Sequence, residues 1–163
     1  MSWQLRRATA EDLDAIMAIE SSEFANDAWS RDLMSAEIID DNSYYLVVNP
    51  VGEPAKVKAY AGLRAPVRSL QADIQTIAVA PDARRQGIGR ALMHALTAEA
   101  RNRGARELFL EVRADNPGAQ SLYDSLGFDR IDVRHRYYQP DGVDAIVMRL
   151  TIPEPKLSPA VGA

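Results

Sequence analysis

The sequence predicts a mixed α/β fold, with a mixed and mostly antiparallel sheet that contains one parallel pair and is flanked by about four helices. Strand-like and helix-like segments alternate along the 163 residues. One strongly amphipathic helix joins two short apolar segments, and such a βαβ crossover makes the two strands parallel. The length suits one domain, which we place at residues 1–152. Residues 153–163 hold three prolines and little to bury, so we expect a loose tail.

The first third of the chain predicts one strand and two helices. Residues 3–7 are predicted to form the first strand. A helix over residues 9–20 follows, with Thr9 and Asp12 spaced for a capping box. Ser30 is the expected cap of the second helix. The first helix is expected to face inward through Leu13, Ile16 and Met17, and the second carries the apolar residues Leu33, Met34 and Ile38.

The middle of the chain predicts an antiparallel pair and the βαβ unit. Residues 44–48 and 57–63 are strand-like and are separated by a segment rich in turn formers. Residues 74–80 form a short apolar stretch that stops at Pro81, and residues 108–112 form a second one. The helix between them has one apolar face, made of Ile88, Ala91, Leu92, Ala95 and Leu96.

The last third predicts a short helix and two closing strands. Gly104 stands where the long helix would end in the left-handed conformation. Asn116, followed by proline, is a typical helix start, and Gly127 is the expected end of that helix. Residues 130–138 and 145–150 then complete the sheet.

Composition excludes several classes of function. The chain has no cysteine, so thiolate chemistry and disulfides are excluded, and two histidines do not make a convincing metal site. A net charge of −4 argues against direct binding to nucleic acid. No run approaches 18 apolar residues, and the first residues lack the apolar region of a signal peptide. We therefore expect a cytoplasmic protein without a membrane or metal requirement, monomeric by default.

A glycine-containing loop before the long helix predicts a ligand with phosphate groups. The run from Arg84 to Arg90 includes Gly87 and Gly89, which let backbone N–H groups approach a ligand closely. The N-terminus of a helix carries unpaired N–H donors and partial positive charge, and both favour phosphate. The nucleotide P-loop is excluded, because no lysine follows Gly89. The dinucleotide fingerprint would need a third glycine where Leu92 stands.

The spacing Arg84-x-x-Gly87-x-Gly89 instead resembles the acyl-CoA loop of the GNAT family of N-acetyltransferases. A second block resembles the same family: Leu110-Glu111-Val112-Arg113, then Asn116-x-x-Ala119-x-x-Leu122-Tyr123-x-x-x-Gly127-Phe128. Together the two motifs are far more specific than either alone. Further short matches are Ile77-Ala78-Val79, Arg85-Gln86-Gly87-Ile88-Gly89-Arg90, and Arg136-Tyr137-Tyr138 followed by Asp144-Ala145-Ile146. With these, the chain looks like the RimI-type enzymes of the family, which acetylate the N-terminal alanine of a small-subunit ribosomal protein. One departure is Ala28 before Trp29, where those enzymes usually carry proline.

The resemblance implies acetyl-CoA as co-substrate, no metal, and a GNAT fold whose parallel strands splay apart at the acetyl-CoA site. It assigns acetyl-CoA to the backbone of residues 77–79, to the phosphate loop and to Asn116. The implied contacts are Ile77, Ala78, Val79, Arg85, Gln86, Gly87, Ile88, Gly89, Arg90 and Asn116. The N–H of Val79 would hold the thioester oxygen, an oxyanion-type role. From sequence alone, residues 77–79 also fit a plain buried strand, and Asn116 also fits a helix cap.

The same resemblance makes Glu111 the proton acceptor and Tyr123 the proton donor to the departing sulfur. Glu111 lies in an apolar run, so we expect a carboxylate shielded from water and made more basic by burial. The alternative is a strand-end glutamate paired with Arg113. A phenol near pKa 10 suits protonation of a thiolate. Alone, Tyr123 would be read as a core residue on one face of its helix.

The acceptor is the least determined part of this interpretation. The resemblance places Trp29 on the acceptor side. Tyr137 with Tyr138 would wall a slot for a peptide N-terminus, although the two tyrosines also fit ordinary strand aromatics. At neutral pH an α-amine is uncharged about 300 to 400 times more often than a lysine, which favours an N-terminal acceptor. The alternatives are an acetyltransferase for a small amine or a lysine side chain, and a non-catalytic acetyl-CoA-binding module.

Overall fold

The computed structural model of the chain describes residues 2–154; Met1 and residues 155–163, with most of the predicted loose tail, lie outside the described residues. The strands are β1 (Trp3–Arg7), β2 (Ser43–Pro50), β3 (Ala59–Arg64), β4 (Gln71–Val79), β5 (Glu107–Arg113), β6 (Asp129–Tyr138) and β7 (Val143–Thr151). The helices are α1 (Leu13–Phe24), α2 (Arg31–Ile39), α3 (Ile88–Asn102) and α4 (Pro117–Ser125). Within the described range, no helix is both long and apolar enough to cross a membrane.

The seven strands form one mixed sheet in the order β1-β2-β3-β4-β5-β7-β6. Every neighbouring pair is antiparallel except β4 and β5, which are parallel and are joined by α3. The predicted fold class is therefore confirmed: a mixed, mostly antiparallel sheet with one parallel pair and four α-helices. The parallel pair lies in the middle of the sheet, so a gap between β4 and β5 would be accessible from both faces of the sheet.

The two faces of the sheet are covered by different helices. On one face α3 packs against the strands through Ile88, Leu92, Met93, Leu96 and Ala100. On the other face α1 and α2 bury Ile16, Ile19, Met34 and Ile38 against Tyr45, Val47, Tyr60 and Ala78. The apolar face predicted for α3 is correct except at Ala91, which is exposed, whereas Leu92 and Met93 are buried against the sheet. In α2, Met34 and Ile38 are buried and Leu33 is 49% exposed.

The helix ends largely follow the predicted signals. The Thr9 N–H donates to Asp12 Oδ2 at 2.8 Å, and Ser30 Oγ accepts from the N–H of Leu33 at 3.2 Å. The first helix differs from its prediction, because residues 10–12 form a 3₁₀ turn and α1 then continues to Phe24. Gly104 has a φ of 102°, which is the left-handed end predicted for α3.

Replacing Gly62 with alanine is expected to lower the free energy of unfolding by about 1–3 kcal/mol, the usual cost of overpacking. A Cβ at this position of β3 would overlap the ring of Tyr45, which is 1% exposed and has nowhere to move. Urea unfolding measures the effect. The control is Gly118→Ala in α4, where the nearest atom to a new Cβ is 3.9 Å away and no loss of stability is expected. Equal stability of the two variants would contradict this packing.

Candidate active site

The two parallel strands separate from each other after three residue pairs. Gln71, Ala72 and Asp73 of β4 pair with Glu107, Leu108 and Phe109 of β5. Beyond them, from Ile74 and Leu110 onward, β4 pairs only with β3 and β5 only with β7. The strands thus leave two facing edges whose backbone groups lack a strand partner. The splayed pair that the resemblance implied is present, and it lies at the carboxyl ends of both strands.

The open edge of β4 presents backbone donors at the expected residues. The N–H of Ala80 donates to the carbonyl of Lys58 at 2.7 Å, toward β3. Because successive N–H groups of a strand point in opposite directions, those of Val79 and Ile77 point into the gap, and that of Ala78 points to β3. The side chain of Ala78 is buried against α1 and α2. This edge is therefore able to pair with an extended ligand.

The loop between β4 and α3 is shaped to hold an anion. Arg85 has a φ of 63° and Gly87 a φ of 77°, so both lie in the left-handed region and turn their N–H groups to one side. In the described part of the chain, the N–H groups of residues 85–90 have no hydrogen-bond partner. A Cβ on Gly89 would meet only Leu122, at 3.5 Å, so the loop mouth is open. These six donors at a helix N-terminus fit a phosphate group.

Side chains of the loop fasten it to the rest of the domain. Trp3 Nε1 donates to Gln86 Oε1 at 2.9 Å, and Arg90 donates to Ser125 Oγ at 2.8 Å. Arg84 forms an ion pair with Glu23 of α1. Glu23 therefore balances the charge of Arg84. Of the three arginines in the motif, Arg84 has a structural role. Asn116 caps α4, its Oδ1 accepting from the N–H of Ala119 at 3.1 Å.

Two pockets open at the gap and share its central residues. The smaller, about 180 Å³, is lined by residues of β4, β5, α1 and α4, including Ile77, Glu111, Asn116 and Tyr123. The larger, about 680 Å³, lies between β4, β5 and β6 and includes Tyr137. Trp29, Glu111 and Tyr138 line both pockets. The structure thus brings together the two predicted catalytic residues and all three predicted acceptor-side residues.

Glu111 differs from its prediction in its surroundings. The residue is exposed at the junction of the two pockets, so the expected shielding from water is wrong. Strand alternation puts it on the β5 face away from Leu110 and Val112, where the splayed gap leaves it uncovered. Its ion partner is also different: Arg134 Nε of β6 lies 3.5 Å from Glu111 Oε1, whereas Arg113 pairs elsewhere.

Tyr123 combines a buried ring with an open hydroxyl. The residue is 6% exposed, and its ring packs 6.0 Å from that of Phe128. Its hydroxyl makes no hydrogen bond to any described residue, yet no fully buried polar side-chain atom there is left unpaired. The oxygen must therefore have access to the pocket that the residue lines. Burial, with the nearby Tyr138, raises the pKa of Tyr123 to about 12.

The two tyrosines at the end of β6 form one wall. Their rings meet edge to face at 85°, with centroids 5.1 Å apart. Contact with the Glu111 carboxylate raises the pKa of the Tyr137 hydroxyl. Burial, with Glu111 as the next cause, raises the pKa of Tyr138 to about 12. Both hydroxyls therefore stay protonated at neutral pH and remain hydrogen-bond donors beside the Glu111 carboxylate.

Sequence reasoning missed the residue that joins the loops around the larger pocket. Arg113 forms ion pairs with Asp27, which ends the turn after α1, and with Asp141, in the β6–β7 connection. It also pairs with Asp115 at 3.0 Å and lies over the ring of Tyr138, 4.9 Å from its centroid. The sequence did contain a signal for a role of Arg113 in the site. Arg113 stands two residues after Glu111, and residues i and i+2 of a strand lie on the same face.

The site also contains Glu20, which sequence reasoning passed over as the last residue of a helix. It lies four residues after Ile16 on the buried face of α1, and it lines the smaller pocket. An acidic residue at a core position of an amphipathic helix was the signal.

A groove with an anion cradle at one end, and a carboxylate and a phenol at the other, suits acyl transfer from a phosphate-bearing thioester. The model of the acetyltransferase (GNAT) family matches residues 11–128. A Bacillus subtilis protein provisionally named ribosomal protein bS18-alanine N-acetyltransferase is 33% identical over 151 residues, 92% of this chain and 96% of that one. The chain therefore belongs to the GNAT acetyltransferase family and is an enzyme that uses acetyl-CoA as its co-substrate.

Two further relatives agree with this assignment. The Mycobacterium tuberculosis protein named N-alpha-acetyltransferase RimI is 33% identical over 144 residues, which cover 86% of this chain and 87% of that one. The crystal structure of the ribosomal-protein-S18-alanine N-acetyltransferase from Escherichia coli matches with a TM-score of 0.81 at 33% identity, and 98% of each chain is covered. The predicted resemblance to the RimI type is confirmed by these similarities.

Proposed function

We propose that this enzyme transfers an acetyl group from acetyl-CoA to the α-amine of an N-terminal alanine, on the small-subunit ribosomal protein S18 of its host. The observation that carries the proposal is the position of Glu111, where a groove suited to acetyl-CoA meets a second pocket walled by Trp29, Tyr137 and Tyr138. Relatives aligned over nearly their whole length are named for this reaction on S18. The enzyme would work in the cytoplasm, with residues 1–152 as one catalytic domain.

Acetyl-CoA would enter from the side of the phosphate loop. Its pyrophosphate would accept hydrogen bonds from the free N–H groups of residues 85–90. The pantetheine arm would lie along the open edge of β4 as an added strand, next to Ile77. The N–H of Val79 would then donate to the thioester oxygen, which gains negative charge as the amine attacks. Asn116, already the cap of α4, would contact the cofactor with its free amide nitrogen.

The chemistry needs one proton acceptor and one donor. The neutral α-amine attacks the thioester carbonyl, and a new C–N bond forms while the C–S bond breaks. Glu111 would take the proton that the amine loses, and Tyr123 would give its proton to the departing thiolate. The chain has no cysteine to carry the acetyl group, so direct transfer in a ternary complex is the proposed route.

The acceptor is tested by mass spectrometry after incubation with acetyl-CoA. The substrate is the N-terminal peptide of the host's S18, beginning with alanine. Two competitors separate the alternatives: the same peptide with a blocked N-terminus and a free lysine, and spermidine as a small amine. We expect one acetyl group on the free N-terminus and none on either competitor. Transfer to the blocked peptide or to spermidine alone would contradict the proposal.

A further inference from the structure

Glu20 is a buried acidic residue that the mechanism above does not use. It is 1% exposed, although it lines the same pocket as Glu111 and Tyr123. Glutamate is almost never buried to this extent unless a partner compensates its charge. Its carboxylate accepts hydrogen bonds from the N–H of Trp29, which lines both pockets, and from the hydroxyl of Thr76 in β4. A glutamate that is buried and also lines a pocket is suited to bind a positively charged ligand.

Three groups donate hydrogen bonds to the Glu20 carboxylate. Oε1 accepts from the hydroxyls of Tyr60 and Thr76, the second at 3.1 Å. Oε2 accepts from the N–H of Trp29 at 3.0 Å. All three partners are donors, so both carboxylate oxygens of Glu20 act as acceptors. Oε2 has a single protein partner, which leaves one of its lone-pair directions for another donor.

Among residues 2–154, no positively charged side chain forms an ion pair with Glu20. Its three partners are two hydroxyls and a backbone amide. A buried anion held only by neutral donors is costly, and a cation beside it recovers part of that cost. The pocket that Glu20 lines is a direction from which such a cation can arrive. At neutral pH the free α-amine of a peptide is mostly such a cation.

We propose that Glu20 is a second carboxylate of the amine subsite, which binds the α-ammonium group of the acceptor. The ammonium gives one proton to solvent, and the neutral amine then attacks and loses a second proton to Glu111. The inference rests on the proposed α-amine acceptor. The hydrogen bond to Trp29 fixes this carboxylate to the acceptor-side wall, and the bond to Thr76 fixes it to β4, along which the thioester would lie. Glu20 therefore stands between the two substrates and aligns the nitrogen for attack. The competing explanation is a purely structural tie between α1 and the sheet.

The test compares two peptides by calorimetry with the CoA-bound enzyme, which cannot transfer an acetyl group. One peptide begins with alanine, and the other has the α-amine replaced by hydrogen. We expect the unmodified enzyme to prefer the amine peptide by about tenfold or more, the usual effect of a hydrogen bond between charged groups. Glu20→Gln should lose most of this preference while its affinities for the amine-free peptide and for CoA are kept. Glu20→Asp should restore part of the preference.

The control is Glu11→Gln, an exposed glutamate before α1 that should keep the full preference. A purely structural role of Glu20 predicts a different pattern. A disturbed pocket would lower the affinity for both peptides together and leave the ratio of the two affinities unchanged. A preference that survives in Glu20→Gln contradicts the role of Glu20 alone. Equal binding of the two peptides by the unmodified enzyme contradicts the α-amine acceptor, and the inference then falls with the proposed function.

Discussion

Glu111→Gln is expected to lower kcat for acetyl transfer by about a hundredfold to ten-thousandfold, the usual contribution of a general base. Glutamine has nearly the same shape and keeps one acceptor oxygen, but it does not take up the proton of the attacking amine. Acetyl-CoA binding should be unchanged, because the phosphate cradle at residues 85–90 lies at the other end of the groove. Steady-state rates with the S18 peptide, together with the Kd for acetyl-CoA, measure both effects.

The matched control for this change is Glu107→Gln. Glu107 lies four residues earlier on the same face of β5, where the strands are still paired, and it faces Arg149 at 3.5 Å. Its replacement should leave kcat within about twofold, because surface ion pairs contribute little. If Glu111→Gln kept a kcat as high as that of Glu107→Gln, Glu111 would not be the proton acceptor.

Tyr123→Phe is expected to reduce kcat by about a hundredfold or more, with little change in stability. The ring that packs against Phe128 is kept, and the lost hydroxyl has no hydrogen-bond partner within the described residues. The change therefore removes the proton donor to the thiolate without leaving a buried group unpaired. Because the pKa of Tyr123 is raised to about 12, its proton is retained across the working range, and the wild-type rate should not fall between pH 7 and 10 through ionisation of this group.

Tyr44→Phe is the control, since this half-buried tyrosine of β2 stacks with Arg7, 4.2 Å from its ring centroid, and lines neither pocket. It should leave kcat unchanged. Thermal unfolding with and without acetyl-CoA confirms that both variants fold and bind the co-substrate. A fully active Tyr123→Phe variant would exclude Tyr123 as the proton donor and would leave it as a core residue with an open hydroxyl.

The order of elements was predictable because it depends on local periodicity. The apolar face of α3 and the short apolar strands on each side of it predict a parallel pair from nearby residues alone. The phosphate loop was equally local, since Gly87 with its positive φ stands directly before a helix. Short-range patterns of this kind specify which backbone groups are free, and thus where a ligand of a given chemistry binds.

The surroundings of the site were not predictable in the same way, because they depend on residues far apart in the chain. Burial of Glu111 was expected from its apolar neighbours, but the width of the gap between β4 and β5 exposes it. Arg113 meets Asp27 and Asp141, which lie 86 residues before it and 28 after it. Its sequence neighbours give no sign of either contact. Such tertiary contacts decide the shape of the acceptor pocket.

The most direct test of this account joins the two substrates covalently. In one conjugate, CoA is linked through an acetyl bridge to the α-nitrogen of the alanine peptide; in the other, to the lysine nitrogen of the N-terminally blocked peptide. If the two pockets meet at Glu111, the α-linked conjugate should bind at least about a hundredfold more tightly than CoA, since the second contact becomes intramolecular. The lysine-linked conjugate should bind with an affinity close to that of CoA. Equal affinity of the α-linked conjugate and CoA would contradict the account.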